Sequence, residues 1–164
     1  MNTLIGAAKS ASFHRGSLGR AAANIPGTMA KPSDAAIRRL EKSARGASAG
    51  AYAPYSRFPV GAAVIGGSGR IYTGCNVENA SYGLCNCAER TAVFSAVAAG
   101  ERSLKAVAIY TPTPLPTAPC GACRQVINEF GPDALVISVC DSKNRVETRL
   151  SALLPAAFGP GDLA

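Results

Sequence analysis

The apolar positions change their period along the chain, and each change marks an element. Behind Pro32-Ser33, the residues Ala36, Ile37, Leu40 and Ala44 recur at helical spacing, with Arg38, Arg39 and Lys42 turned outward. Ser33 can cap this helix and Gly46 lies near its end. Val60–Ile65 is a short apolar run, Gly66-Gly67-Ser68-Gly69 a turn, and Arg70–Cys75 a second extended run, which together predict a β-hairpin. The polar stretch Asn76–Asn86 reads as a loop. Cys87–Ala99 sets Ala88, Ala92, Val93, Ala96 and Val97 on helical faces and stops at Gly100, a C-cap residue. Leu104–Tyr110 is apolar and β-branched, a strand. Thr111–Pro119 contains Pro112, Pro114, Pro116 and Pro119, which excludes regular structure. Cys120–Phe130 predicts a short core helix closed by Gly131-Pro132. Ala134–Cys140 and Val146–Leu150 predict two more strands around a turn at 141–144, and Ser151–Ala157 a short helix ahead of Phe158-Gly159-Pro160.

This order predicts an α/β fold: a mixed sheet of about five strands covered by helices in three α/β/α layers. Residues 1–30 show no clean period and are expected to be a disordered N-terminal extension, with 31–164 forming one catalytic domain. A chain of 164 residues can build a core that needs no disulfide staples. No apolar run approaches the ~20 residues that cross a bilayer, so a membrane partner is not expected.

Charge changes the picture less than its total suggests. The net charge is +7, but residues 1–50 hold eight Lys/Arg against two acids, while the rest hold nine against eight. The basic character thus lies apart from the residues that carry chemistry, and it reads as a solvated helix face plus an arm. Trp is absent and aromatics are 6%, so a stacking platform for single-stranded nucleic acid is poorly supplied, and no nucleic-acid partner is expected.

Six cysteines occur, at 75, 85, 87, 120, 123 and 140. No apolar signal segment precedes them, which favours a reducing, cytoplasmic setting and thiolate–metal chemistry over disulfides. An absence of Asp and Glu over the first 30 residues faintly suggests organelle targeting as the alternative. Two segments stand out: Cys87-Ala88-Glu89 and Pro119-Cys120-Gly121-Ala122-Cys123. Each lies where a loop gives way to a helix, and a helix N-terminus favours thiolate. Cys87, Cys120 and Cys123 would give zinc three protein ligands and leave the fourth tetrahedral position open for water. His14, the sole histidine, lies in the arm, and Cys85 should point elsewhere. Glu89, two residues after a ligand, is placed to act as general acid/base. Arg90 and Arg124 are the nearby cations in sequence, and one or both should offset the sulfurs' charge. A lone Cys-x-x-Cys is often a redox pair or half a structural zinc site, and a lone Glu usually faces solvent. The conjunction of Cys-Ala-Glu with Pro-Cys-x-x-Cys about 30 residues later has the form of the zinc deaminase signature.

From about Ala51 to Pro160 the chain resembles the small homotetrameric cytidine deaminases of pyrimidine salvage. The resemblance rests on Tyr55-Ser56-Arg57-Phe58-Pro59-Val60-Gly61-Ala62, Gly74-Cys75-Asn76-Val77-Glu78-Asn79-Ala80, the two cysteine segments with their flanks, and Leu153–Pro160. It implies hydrolytic deamination of cytidine and 2′-deoxycytidine at C4, with one Zn²⁺ per subunit and Glu89 moving protons. Asn76 and Glu78 would bind the ribose hydroxyls, Phe58 would pack near base or sugar, and the backbone at Ala88 would read the base edge. Phe158 from a neighbouring subunit would stack on the base, Tyr82 would lie at the subunit interface, and Arg90 would hydrogen-bond a ligand sulfur. The Pro-rich loop Thr111–Ala118 is particular to this chain and is expected to reshape the rim of the site. A blasticidin-S-type deaminase shares both half-sites, and a polynucleotide deaminase or a structural zinc module are further alternatives.

Overall fold

In the computed structural model, which describes residues 31–163, a five-stranded sheet is sandwiched between helices. Helix α1 (Asp34–Ala47) starts where the Ser33 hydroxyl accepts the Ala36 amide at 3.3 Å, and it buries Ile37, Leu40 and Ala44. Strands β1 (Gly61–Gly66) and β2 (Ile71–Cys75) form the hairpin. Helix α2 (Ala88–Ala98), strand β3 (Leu104–Tyr110), helix α3 (Gly121–Phe130), strands β4 (Leu135–Val139) and β5 (Arg145–Arg149), and the short helix α4 (Leu150–Leu153) follow. The strand order is β2-β1-β3-β4-β5, and the one parallel pair is β3 with β4. The disordered extension expected over residues 1–30 lies outside the described residues.

Strand periodicity divides the core into two halves. Ala62, Val64, Val107, Ile109 and Val136 pack with Ala92, Val93 and Ala96 of α2 and Ile127 of α3. Their alternates Ala63, Ile65, Ala106, Ala108 and Ile137 pack under α1 against Ile37, Leu40 and Ala44. Strand β1 is buried at all six positions because both its faces are covered. A continuous apolar run, and not an alternating one, is the mark of such a strand.

Close packing of α2 on the hairpin depends on Gly74. A Cβ there would lie 2.3 Å from the Ala92 nitrogen and 2.7 Å from the Ala88 carbonyl oxygen. The antiparallel register sets Gly61 opposite both Cys75 and Tyr110, so β1 begins where β2 and β3 end. At that end of the sheet, β2 runs on toward the start of α2, and β3 toward the start of α3.

Most predicted boundaries shift by one residue. The exception is the last helix, which covers Leu150–Leu153 instead of Ser151–Ala157. Pro155 has no N–H to continue it, and Ala156 adopts a left-handed φ of 52°. The predicted loop Asn76–Asn86 also contains one 3₁₀ turn, Tyr82–Leu84.

Candidate active site

Cys87 and Cys120 are the N-cap residues of α2 and α3, with extended backbones (φ −76°, ψ 154° and φ −68°, ψ 168°) that swing each side chain off the helix start. Cys123 sits in the first turn of α3 and is fully buried. The three sulfurs lie within 4.8 Å of one another, and the Cys87 and Cys120 Sγ atoms are 3.9 Å apart. Three thiolates on a tetrahedral zinc, at ~2.3 Å each, stand about 3.8 Å apart, so the cluster has the right dimensions. Among the described residues no other group of three Cys, His, Asp or Glu gathers this way. Cys85 is not part of it: its sulfur accepts the Asn79 amide at 3.3 Å.

The sulfurs sit in unequal electrostatic surroundings. Hydrogen bonding from Cys123, reinforced by Arg90, pulls the Cys87 thiol down to about 5. Cys123 is pushed well up by its hydrogen bond to Cys87 and by burial. The Cys87 thiol thus gives up its proton more readily than the Cys123 thiol beside it. The Arg90 guanidinium donates from Nη2 to the Cys87 sulfur at 3.5 Å and to the Cys85 carbonyl at 3.2 Å. Arg124 is turned away from the sulfurs. It donates from Nε to the Pro119 carbonyl (2.8 Å) and from Nη1 to that of Leu153 (3.0 Å), tying the start of α3 to α4. Of the two candidate cations, Arg90 thus reaches a sulfur and Arg124 positions backbone.

A pocket of about 440 Å³ opens over the cluster. Phe58, Asn76, Glu78, Ala88 and Glu89 all line it together with Cys87 and Cys120. Glu89 is 5% exposed, and burial raises its carboxyl above the ordinary glutamate range. Glu78 is held in the opposite direction by hydrogen bonding from Ser56. Among the described residues, no Lys or Arg lines the pocket.

Sequence reasoning missed Ser56, Asn86, Ile109 and Thr111, which also line it. Ile109 and Thr111 carry no sequence signal, since only sheet register brings the end of β3 here. Thr117 and Ala118, from the Pro-rich loop, line the pocket as well. Phe158 lies outside the pocket of its own chain: its ring is exposed and its carbonyl accepts Gln125 Nε2 at 2.9 Å. Tyr82 is also exposed, its ring 5.7 Å from that of Tyr55, beside a smaller recess bounded by Ser56, Glu78 and Cys85.

Residues 35–139 match the family model for the cytidine and deoxycytidylate deaminase zinc-binding region. The chain belongs to this family. It is 47% identical over 129 residues to a cytidine deaminase of Sporosarcina psychrophila, a match covering 78% of this chain and 95% of that protein. A cytidine deaminase of Mycobacterium tuberculosis is 48% identical over 124 residues, covering 76% and 90%. The crystal structure of cytidine deaminase from Burkholderia pseudomallei superposes with a TM-score of 0.71 at 52% identity, covering 74% of this chain and 98% of that one. The family match spans the three clustered cysteines and Glu89 and ends before Phe158. Donor set, sulfur spacing and family membership agree on zinc as the ion the cluster fits.

Proposed function

We propose that the chain hydrolyses cytidine and 2′-deoxycytidine to uridine and 2′-deoxyuridine, with release of ammonia, as a cytoplasmic enzyme of pyrimidine salvage. The observation that carries this reading is the placement of one buried carboxyl, Glu89, in the same pocket as a three-cysteine cluster, in a chain about half identical to cytidine deaminases. Cys87, Cys120 and Cys123 would hold one zinc per subunit. Zinc, when bound, supplies a Lewis acid that makes water nucleophilic near neutral pH.

The chain's own residues do the rest. Glu89 takes a proton from water and returns protons to the ring nitrogen N3 and the departing amine at C4. Ala88 is the first helical residue of α2, so its amide has no partner within the helix and can donate to the base edge. Glu78 and Asn76 line the same pocket and would meet the sugar hydroxyls with a carboxylate acceptor and an amide donor. Phe58 forms an apolar wall, and Ile109 and Val60 help to exclude water. Exposed Phe158 and Tyr82 suit a homotetramer in which neighbouring subunits complete the site. A lining that, among the described residues, holds no Lys or Arg suits an uncharged nucleoside over a polynucleotide.

The test is cytidine turnover by wild type and Glu89→Gln, with zinc content measured on both. The variant should fold and bind zinc while losing activity by roughly 10²–10⁴-fold. Undiminished turnover by the variant would overturn this reading. So would wild type that deaminates single-stranded oligonucleotides and leaves free cytidine untouched.

A further inference from the structure

The wall of the pocket that carries Ser56 and Phe58 belongs to neither a helix nor a strand. It is a strap, residues 53–60, bent at Arg57, whose φ of 55° is left-handed and whose amide donates to the Ala53 carbonyl at 3.0 Å. Such a conformation is disfavoured for a non-glycine residue and persists only where surrounding contacts enforce it.

Two side chains beyond the end of β2 supply those contacts. Asn76 accepts the Val60 amide on Oδ1 at 2.8 Å and donates from Nδ2 to the Phe58 carbonyl at 2.9 Å. Glu78 accepts the amides of both Tyr55 (2.8 Å) and Ser56 (3.2 Å) on its single oxygen Oε2. The Ser56 hydroxyl completes the bend by accepting the Phe58 amide at 3.1 Å. A strap lacks a strand ladder, so side chains must satisfy its backbone groups.

We propose that Asn76 and Glu78 are positioning residues for the Ser56–Phe58 wall, in addition to any contact they make with the sugar of the substrate. The sugar end of the pocket and its aromatic wall are then one mechanical unit. Removing Asn76 releases Phe58 even when no substrate is present. The inference rests on the proposed deaminase reading only for its kinetic readout.

The experiment uses zinc-loaded full-length protein and the variants Asn76→Ser, Asn76→Asp, Phe58→Ala and Asn76→Ser/Phe58→Ala. Hydrogen exchange at the Val60 amide is followed without ligand, and kcat/KM is measured on cytidine. Serine is too short to bridge Phe58 and Val60, so Val60 exchange should quicken by about tenfold or more. Asn76→Asp keeps an acceptor facing Val60 and should restore its protection. Phe58→Ala should cost less in the Asn76→Ser background than in wild type, because the wall is already loose. Unchanged Val60 protection in Asn76→Ser, with losses that simply multiply, would show that Asn76 serves the sugar alone and overturn the proposal. If wild type does not turn over cytidine, the deaminase reading fails while Val60 exchange alone still decides for or against the strap.

Discussion

Gly74→Ala should damage the site by displacing the backbone of the helix that carries it, although Gly74 does not itself line the pocket. Its Cβ would stand 2.3 Å from the Ala92 nitrogen, 2.7 Å from the Ala88 oxygen and 2.8 Å from the Thr91 carbonyl carbon. All three are backbone atoms of α2, so no side-chain rotation can relieve the clash. An ordinary contact needs roughly 3.5 Å, and α2 must therefore move away from β2 by about 1 Å. Overpacking of this kind costs about 1–3 kcal/mol, which for one domain of this size lowers Tm by roughly 4–15 °C. Function should fall further than stability does. Helix α2 carries Glu89, and Cys87 caps it, whereas Cys120 and Cys123 stand on α3. A shift of about 1 Å would part the sulfurs and misplace the carboxyl, with an expected loss of about 100-fold in kcat/KM. The assay is calorimetry, zinc content and cytidine turnover on the same preparation. Wild-type Tm together with wild-type turnover would refute the claim that the contact between Gly74 and α2 sets the site.

Three further outcomes follow from other contacts. Arg90→Gln removes the cation that bonds the Cys87 sulfur and should weaken zinc retention by about 10–100-fold in chelator competition; an unchanged affinity would assign the compensation elsewhere. Arg57→Gly should leave stability within about 1 kcal/mol, since lost strain offsets gained chain entropy, while Arg57→Val should cost about 1–2 kcal/mol more because a β-branched residue resists left-handed backbone. Hydrogen bonds from Ser68 hold the Glu101 carboxyl below its ordinary value, so its stabilisation is complete above the unfolded glutamate value and is lost as pH falls through the lowered folded one. Denaturant titrations of Glu101→Gln should accordingly show a shallower acid-side decline than wild type, and parallel curves would contradict it.

The sequence by itself determined the element order and which residue types are available for chemistry. Leu104–Tyr110 is legible to the residue because a short, mostly apolar run holding Val107 and Ile109 is bounded by Gly100 on one side and four prolines on the other. Cys87, Cys120 and Cys123 stand out in the sequence because metal chemistry demands particular residue types at particular spacings, and the structure gathers their sulfurs. What the tertiary structure decided is where those pieces meet. The antiparallel register of Gly61 with Cys75 and Tyr110 brings the segments leading to two helix starts to one end of the sheet. Sequence proximity put Arg90 and Arg124 on an equal footing, but the helices aim one guanidinium at a sulfur and the other at backbone carbonyls. Ile109 and Thr111 line the pocket through strand register alone. Local sequence records which groups are present and how the chain is paced. It does not record distances between segments dozens of residues apart, because those are set by packing shared among all of them.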